Sequence, residues 1–446
     1  MHTLSVRLRA LTRGRSVDAA VRRRFTATRM RPLHHAALFH AALLLVFGSS
    51  LLSVQAAETP SFGDLLRQAQ TAAPRLLEQG ANVRAARADV RHAGAWLNPT
   101  LSATAENLGA PTSGGVSQRQ DTYTVTQVFE TGGKRSARVE AEQRKLDAAG
   151  ARERQARLAF AGELAIAYAT AEAMQQRKEV ADAESARADD DLRAAEALVK
   201  AGREAELRVA QARASAAAAQ AAVQSSSAGA AEALERLAVL VGVTEPFTRI
   251  DHPFLATVAT PPALAEWTPA AAPALASAAA ERDALSALVR VEQKRTMPDI
   301  DVSIGMRRFG WSSEKAATIG VSASIPLFDR NQAGVDAARE RAAGAALRVD
   351  AARLEVLALR RSSIVQVQAS DRRLQAAMQG ELAALDAYRL GRVGYDAGKT
   401  ALLELLAIRR ALLDATALTI EARLARIRAL ATLSLAEGRT VFGEAP

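Results

Sequence analysis

The sequence predicts a mostly α-helical protein built from two similar repeats, each of which contains one β-hairpin. Three observations support this fold class: anchor residues recur at two nearly equal spacings, two segments alternate between apolar and polar residues, and very long helical stretches lack proline. The 446 residues include no cysteine. Disulfides, thiolate metal sites and a lipid anchor on cysteine are therefore excluded within this sequence.

Residues 1–56 are predicted to be an export signal. The segment is basic at first and apolar from His34 onwards, and Val54-Gln55-Ala56 forms a small-residue cleavage site. Met30 is an alternative start that gives a signal of ordinary length, and a membrane anchor is the alternative interpretation of the apolar run. Because the segment holds nine arginines and one acid, its removal lowers the formal net charge from +10 to +2. That small charge argues against nucleic acid as a partner.

The remaining chain contains one pattern of anchor residues twice. Val128-Phe129-Glu130 recurs as Leu327-Phe328-Asp329 after 199 residues, and Ala201-Gly202 recurs as Ala397-Gly398 after 196. Two copies of one supersecondary unit explain both spacings, with a small length difference in a turn. We therefore predict a first repeat at 57–242, a proline-rich connector at 243–273, a second repeat at 274–438 and a C-terminal tail at 439–446.

The second repeat contains the clearest strands. From Asp299 to Phe309, and again after a polar break at 310–316, apolar and polar residues alternate, which predicts a hairpin of two strands. Each strand has the length that a tilted strand needs to cross a bilayer. A half-buried hairpin in a soluble domain has the same pattern. The first repeat carries a weaker version of the hairpin at Thr100–Leu108 and Thr122–Phe129.

Helices account for most of the remaining sequence. One helical stretch precedes each hairpin, and a very long helix of about 90 Å and a shorter return helix follow it. Helices of this length need coiled-coil packing, because no globular core is that wide. In chain order the predicted helices are Phe62–Trp96, Val139–Lys200, Glu204–Val241, Ala274–Arg295, Val335–Asp396 and Thr400–Glu437.

The number of strands has a consequence for assembly. Four strands are too few to close a barrel in lipid, and open sheet edges there leave backbone groups unpaired. If the strands span a membrane, the chain must oligomerise, and the polar side of each strand then faces a water-filled interior. On this hypothesis Asp299, Asp301 and Arg307 are lumen-facing strand residues, the long helices extend the lumen as a tube, and the assembly is a duct.

Three short motifs resemble those of a known family: Leu97-Asn98-Pro99-Thr100-Leu101, Phe129-Glu130-Thr131-Gly132-Gly133-Lys134-Arg135 and Pro326-Leu327-Phe328-Asp329-Arg330-Asn331-Gln332. With the repeat pattern they are similar to the TolC-type outer-membrane efflux proteins, most of all to the CzcC-like branch that exports heavy metals. The resemblance implies a homotrimer in outer-membrane lipid, with a 12-stranded barrel and a coiled-coil periplasmic tunnel of 12 helices. It also implies a periplasmic adaptor and an inner-membrane pump of the RND type as partners.

The turns between the long and return helices are the candidate partner sites. By resemblance they are periplasmic tips that dock the adaptor, formed by Gly202, Arg203, Glu204, Gly398, Lys399 and Thr400. The resemblance also suggests a periplasmic gate formed by Arg392, Tyr395 and Asp396. The alternatives remain open: glycine after a helix is a routine C-cap, and charges at a helix end are usually only solvated.

No catalytic, cofactor-binding or metal-ligating residues are predicted, because no nucleophile–base pair, metal cluster or phosphate loop stands out. Glu130-Thr131-Gly132-Gly133-Lys134-Arg135 lacks the spacing of a phosphate loop and is interpreted as a strand-to-helix turn. The pattern of strands and helices favours a passive duct rather than an enzyme, and the family resemblance implies that its cargo is heavy-metal cations. A duct for drugs or other small molecules, and a non-channel periplasmic coiled-coil protein, are the alternatives.

Overall fold

The computed structural model describes residues 59–109, 115–245, 247–256, 267–439 and 442. The predicted signal at 1–56 and most of the predicted tail at 439–446 lie outside the described residues. The described helices and strands are α1 (Phe62–Ala72), α2 (Pro74–Ala93), β1 (Thr100–Glu106), β2 (Gln120–Phe129), α3 (Lys134–Lys200), α4 (Glu206–Val241), α5 (Pro273–Lys294), β3 (Ile300–Phe309), β4 (Lys315–Ala323), α6 (Gln332–Asp396) and α7 (Leu402–Glu437).

The architecture is mostly helical and repeats itself, as predicted. In each repeat a hairpin is followed by a long helix, α3 with 67 residues and α6 with 65, and by a return helix of 36 residues. The long helices begin earlier than predicted, directly after Gly133 and Asn331. These two residues have φ values of +77° and +51°, and this left-handed conformation directs the connecting segment into the first turn of each helix.

The helical stretch before the first hairpin is two helices, where the sequence predicts one over Phe62–Trp96. Ala73 is extended, with φ −65° and ψ +120°, because the ring of Pro74 disfavours helical angles in the residue before it. The second helix then ends at Ala93. The break allows α1 to pack beside α3 and α4 while α2 follows α3 toward the sheet.

The four strands form one antiparallel sheet in the order β1-β2-β3-β4. Its central pairing joins the hairpins of the two repeats, with Val125 opposite Ile304. β1 and β4 are the edges of this sheet. Among the described residues, each edge strand has a neighbour on one side only, so its outer backbone groups are available to another strand.

The main hydrophobic core lies where α1, α3, α4, α7 and the connector meet. Phe62 stacks on Phe254, and the fully buried Tyr168 packs against both rings. Burial raises the pKa of Tyr168 to about 12. The Glu172 carboxylate accepts hydrogen bonds of 2.8 Å from the backbone amides of Phe254 and Leu255. These contacts fix the connector to the middle of α3.

No helix within the described residues has both the length and the apolar character needed to span a membrane.

Candidate functional sites in the sheet and the helix tips

One face of the sheet is apolar and exposed. The strand registers place Leu101, Val125, Ile304 and Ile319 side by side in a single row across all four strands. Leu101 is 79% exposed and Ile319 is 78% exposed in the chain. Neighbouring rows on this face hold further apolar residues, among them Tyr123, Met306 and Val321. A contiguous exposed apolar face of this kind requires a partner or an apolar solvent.

The opposite face carries small and hydroxyl-bearing residues. In register, one row reads Thr100, Thr126, Ser303 and Gly320, and the next reads Ser102, Thr124, Gly305 and Thr318. Arg307 lies on this polar face, where its Nε donates a 3.2 Å hydrogen bond to Oγ1 of Thr122. Asp301 lies on the same face, between Val128 and Ser322. The sheet is therefore amphipathic, with Asp301 and Arg307 on its polar side.

Asp299 has a different position from the one that the alternation predicts. β3 begins one residue later, at Ile300. The Asp299 carboxylate instead pairs with Nζ of Lys134 at 2.8 Å, and its other oxygen accepts a bond from the amide of Thr131. The predicted strand residue is thus a junction residue, which ties the start of β3 to the start of α3.

Charged groups also fix both long helices at the sheet. Arg138 on α3 donates to both oxygens of Glu130 at 2.5 and 2.9 Å and to the carbonyl of Ala93 on α2. These hydrogen bonds hold the pKa of Glu130 below its ordinary value. In the second repeat, Asn331 donates to Glu292 at 2.8 Å and lowers the pKa of that carboxyl group in the same way. This shared role was not predicted, although Glu130 belongs to a repeated motif.

The two helix tips have the same backbone geometry. Gly202 and Gly398 adopt φ values of +70° and +71°. The amide of Arg203 bonds to the carbonyl of Leu198 at 3.0 Å, as the amide of Lys399 bonds to that of Gly394 at 2.8 Å. Both turns are therefore glycine C-caps. Five of the six predicted tip residues are exposed and Thr400 is half-buried.

The predicted gate residues divide into two groups. Tyr395 accepts a 2.7 Å hydrogen bond from Nη2 of Arg208 on α4, while Nη1 of Arg208 pairs with Glu204 at 2.5 Å. Arg392 and Asp396 form a separate, exposed ion pair at 3.4 Å. The hydrogen bond that Arg392 donates to the hydroxyl oxygen of Tyr388 and the charge of Asp396 raise the pKa of Arg392. Arg208 was not predicted, although its spacing of four from Glu204 is a recognisable helical signal.

A buried ionic group joins the two repeats further along the helices. Arg409 on α7 is 9% exposed and contacts Glu184 at 2.8 Å and Asp191 at 2.6 Å, both on α3. Burial raises the pKa of Glu184, and the charge of Arg409 opposes that shift. Nothing in the local sequence indicates the contact, because it joins residues that are more than 200 positions apart.

Within the described residues, no three His, Cys, Asp or Glu side chains gather so that they could hold a metal ion.

The chain belongs to the outer membrane efflux protein family, whose model matches residues 65–243 and 268–439, one segment in each repeat. Members of this family are efflux channels of the outer membrane, so the predicted class and location are confirmed. The fold agrees with that of CusC in a crystal structure, with a TM-score of 0.72 at 17% identity, over 85% of this chain and 92% of the CusC chain.

Two relatives are similar over nearly the whole chain. The nickel-cobalt-cadmium resistance protein NccC of Alcaligenes xylosoxydans xylosoxydans is 52% identical, over 91% of this chain and 91% of that protein. The nickel and cobalt resistance protein CnrC of Cupriavidus metallidurans is 54% identical, over 87% and 93%. The cobalt-zinc-cadmium resistance protein CzcC of the same organism is more distant, at 28% identity over 71% and 75%.

Proposed function

We propose that three copies of this chain form a passive outer-membrane duct that exports divalent metal cations, nickel and cobalt among them. The observation that carries the proposal is the amphipathic sheet, which has an exposed apolar face, a polar face and two unpaired edges within the chain. Three four-stranded sheets joined edge to edge make a closed barrel of 12 strands. Closure satisfies the backbone groups of β1 and β4, which would cost several kcal/mol each if left unpaired in lipid.

The height of the apolar face supports this arrangement. It extends from the row of Phe129, Ile300 and Ala323 at the helix end to the row of Arg308 and Lys315 at the hairpin end. The eight steps from Ile300 to Arg308 span about 27 Å along the strand, or about 20 Å across a membrane at a tilt of about 40°. Transmembrane barrels have apolar bands of about 25 Å.

Exposed apolar side chains along α6 favour a further contact between copies. A soluble helix normally buries such residues, and within one chain nothing described covers them. We assign this surface to the neighbouring copies in the tunnel. The residues concerned are Leu347, Leu354, Val365, Leu382, Leu390 and Val393, each between 62% and 70% exposed.

The cargo is proposed from the relatives and from the polar face. NccC and CnrC are named for resistance to nickel and cobalt, and more than half of their aligned residues are identical to those of this chain. The inner face of the proposed barrel offers hydroxyl groups and backbone along most of its length. Hydrated cations can pass such a surface without binding to it, which suits a conduit whose energy comes from a pump.

We assign the helix tips to partner binding and to closure of the duct. The exposed Arg203 and Lys399 are placed at the contact with a periplasmic adaptor, which in turn meets an RND-type pump in the inner membrane. The bridge between Arg208 and Tyr395 is assigned to the closed state, with Arg392 and Asp396 beside it. Lys399→Glu and Arg203→Glu should weaken adaptor binding without changing trimer mass, whereas normal binding by both variants would reduce the tips to helix caps.

The proposed function is tested in a strain that lacks this gene but keeps its pump and adaptor. Returning the gene should restore tolerance to nickel and cobalt, and the protein should fractionate with the outer membrane and have the mass of a trimer in detergent. Restored tolerance to drugs with none to metals would favour the duct for other small molecules. A soluble periplasmic monomer would favour the structural coiled-coil alternative.

A further inference from the structure

The hairpin end of the apolar face carries an unusual group of cations. Arg308 and Lys315 lie directly opposite each other in the β3–β4 register, and both are exposed. Like charges in opposed positions repel each other and destabilise a sheet. The fold of the single chain does not explain why these two like charges lie opposite each other.

The carboxylate nearest in register does not balance these charges. Asp121 lies opposite Arg308, but it forms an ion pair with Nε of Arg119 at 3.0 Å. Among the described residues, Arg308 and Lys315 have no ion-pair partner. Glu106, one row nearer the hairpin end, lies on the polar face. We call Arg119, Arg308 and Lys315, which carry a net surplus of two positive charges over Asp121, the outer cation patch.

The position of the patch identifies the kind of anion that it meets. It borders the apolar rows of Met306, Ala317 and Ile319, so a molecule bound there also touches the apolar face. In the barrel of the proposed function, the hairpin end is the end farthest from the helices. The patch then lies at the headgroup level of the outer leaflet, and it points outward into lipid.

We propose that the outer cation patch binds phosphate groups on lipid headgroups of the outer leaflet, an inference that rests on the proposed function. The guanidinium of Arg308 can hold a phosphate with two parallel hydrogen bonds, and Lys315 adds a point charge beside it. A phosphate between them removes their mutual repulsion. The acyl chains of the bound lipid then continue along the apolar rows toward Ile304 and Val125. Three copies would carry three such patches around the barrel.

The test uses the full-length trimer in detergent, with lipid A as the probe and dephosphorylated lipid A as its control. Binding is measured by native mass spectrometry across a lipid titration. The double variant Arg308→Gln with Lys315→Gln should bind lipid A about 30-fold more weakly than the parent, since each cation near a charged lipid surface contributes about 1 kcal/mol. Arg307→Gln removes one positive charge at the neighbouring position on the polar face, so it should bind lipid A like the parent.

Several outcomes are decisive. Equal binding of lipid A by the parent and the double variant, or equal binding of lipid A and its dephosphorylated form by the parent, overturns the site. Excess inorganic phosphate should not displace lipid A, and displacement would show that the patch recognises free phosphate instead. A parent chain that remains monomeric in detergent overturns the proposed duct together with this site, whereas a trimer without phosphate selectivity overturns the site alone.

Discussion

Arg208 and Tyr395 connect the two repeats near their tips through a hydrogen bond of 2.7 Å. Arg208 belongs to the return helix of the first repeat and Tyr395 to the last turn of the long helix in the second. Glu204 holds the other end of the guanidinium at 2.5 Å. The bond thus couples the positions of two helix hairpins, which no covalent link joins near the tips. This coupling suits a closed aperture in the proposed duct.

Tyr395→Phe should therefore favour the open duct. The change removes only the hydroxyl group, and a hydrogen bond to a charged group contributes about 1.5 kcal/mol at most at such an accessible site. We expect roughly a fivefold to tenfold higher open fraction in single-channel recordings of the trimer in planar bilayers. Tyr123→Phe, on the exposed apolar face of the sheet, is the matched control. Identical open fractions for the two variants would remove the bridge from the gate.

The two faces of β4 can be compared at neighbouring positions. Ile319 is 78% exposed on the apolar face, and Thr318 lies opposite Gly305 on the polar face. Ile319→Lys should cost about 2–4 kcal/mol in lipid, while Thr318→Lys places its charge in water. The amount of trimer in the outer-membrane fraction should fall sharply for the first variant only. Equal yields would show that the sheet does not cross lipid in this orientation. Ser322 is a poorer position for the control, because a lysine there would lie opposite the carboxylate of Asp301.

The sequence predicts local structure well in this chain. Periodicity and the absence of proline locate α3, α4, α6 and α7 to within a few residues, since those signals are carried along each helix itself. The repeat spacing also identifies the two tips as equivalent turns, and the alternation in β3 and β4 predicts which side chains lie on each face of the sheet. Asp299 shows the limit of the pattern, because alternation alone cannot tell a last strand residue from a junction residue that pairs with Lys134.

Contacts between the two repeats could not be predicted from the sequence. The pairing of β2 with β3 depends on which edges meet, and no residue pattern in either hairpin specifies a partner strand. The bonds of Arg409 to Glu184 and of Arg208 to Tyr395 likewise join helices that pack only in three dimensions. Arginine and glutamate are common on solvated helix faces, so their presence gives no indication of a buried pair.

The junction between Glu130 and Arg138 should make stability depend on acid pH. Hydrogen bonds from Arg138 lower the pKa of Glu130 from its ordinary 4.5. The folded protein therefore binds fewer protons than the unfolded chain in the window below 4.5. The stabilisation is complete above that pH and is lost as the pH falls through the lowered pKa. In thermal unfolding followed by circular dichroism, Glu130→Gln should lower the midpoint at neutral pH. The gap from the parent should narrow in acid; a constant gap would contradict the linkage.

Substitutions at Gly398 can separate the effect of backbone strain at the tip from the effect of steric overlap. A Cβ atom at this position would meet nothing within 4 Å, but the φ value of +71° is unfavourable for most side chains. Gly398→Asn should be tolerated, since asparagine adopts this conformation readily, whereas Gly398→Val should distort the turn at a cost of about 1–2 kcal/mol. Limited proteolysis should cleave the valine variant faster at the tip. Equal cleavage of both variants would mean that the turn adapts without strain.

Arg409 should stabilise the helices mainly by compensating a buried charge. Arg409→Met leaves Glu184, whose side chain is 16% exposed, with only the more distant Arg187 at 3.9 Å, while Asp191, which is 41% exposed, can turn to water. Breaking one side of such a pair costs about 2–4 kcal/mol, but replacing both members by apolar residues is often neutral. We expect the thermal midpoint to fall in the single variant and to recover largely in the double variant Arg409→Met with Glu184→Met.

The stabilities of the Arg409→Met variant and of the double variant should also depend differently on pH. Burial already raises the pKa of Glu184 from 4.5, and loss of Arg409 raises it further. A group with a raised pKa in the folded state destabilises as the pH rises through that value, because the charged form is the one penalised. The deficit of Arg409→Met should therefore shrink as the pH falls from neutral toward 4.5, and the double variant should show no such dependence. If the double variant is destabilised by the sum of the losses in Arg409→Met and in Glu184→Met, with no recovery, Arg409 contributes through packing alone.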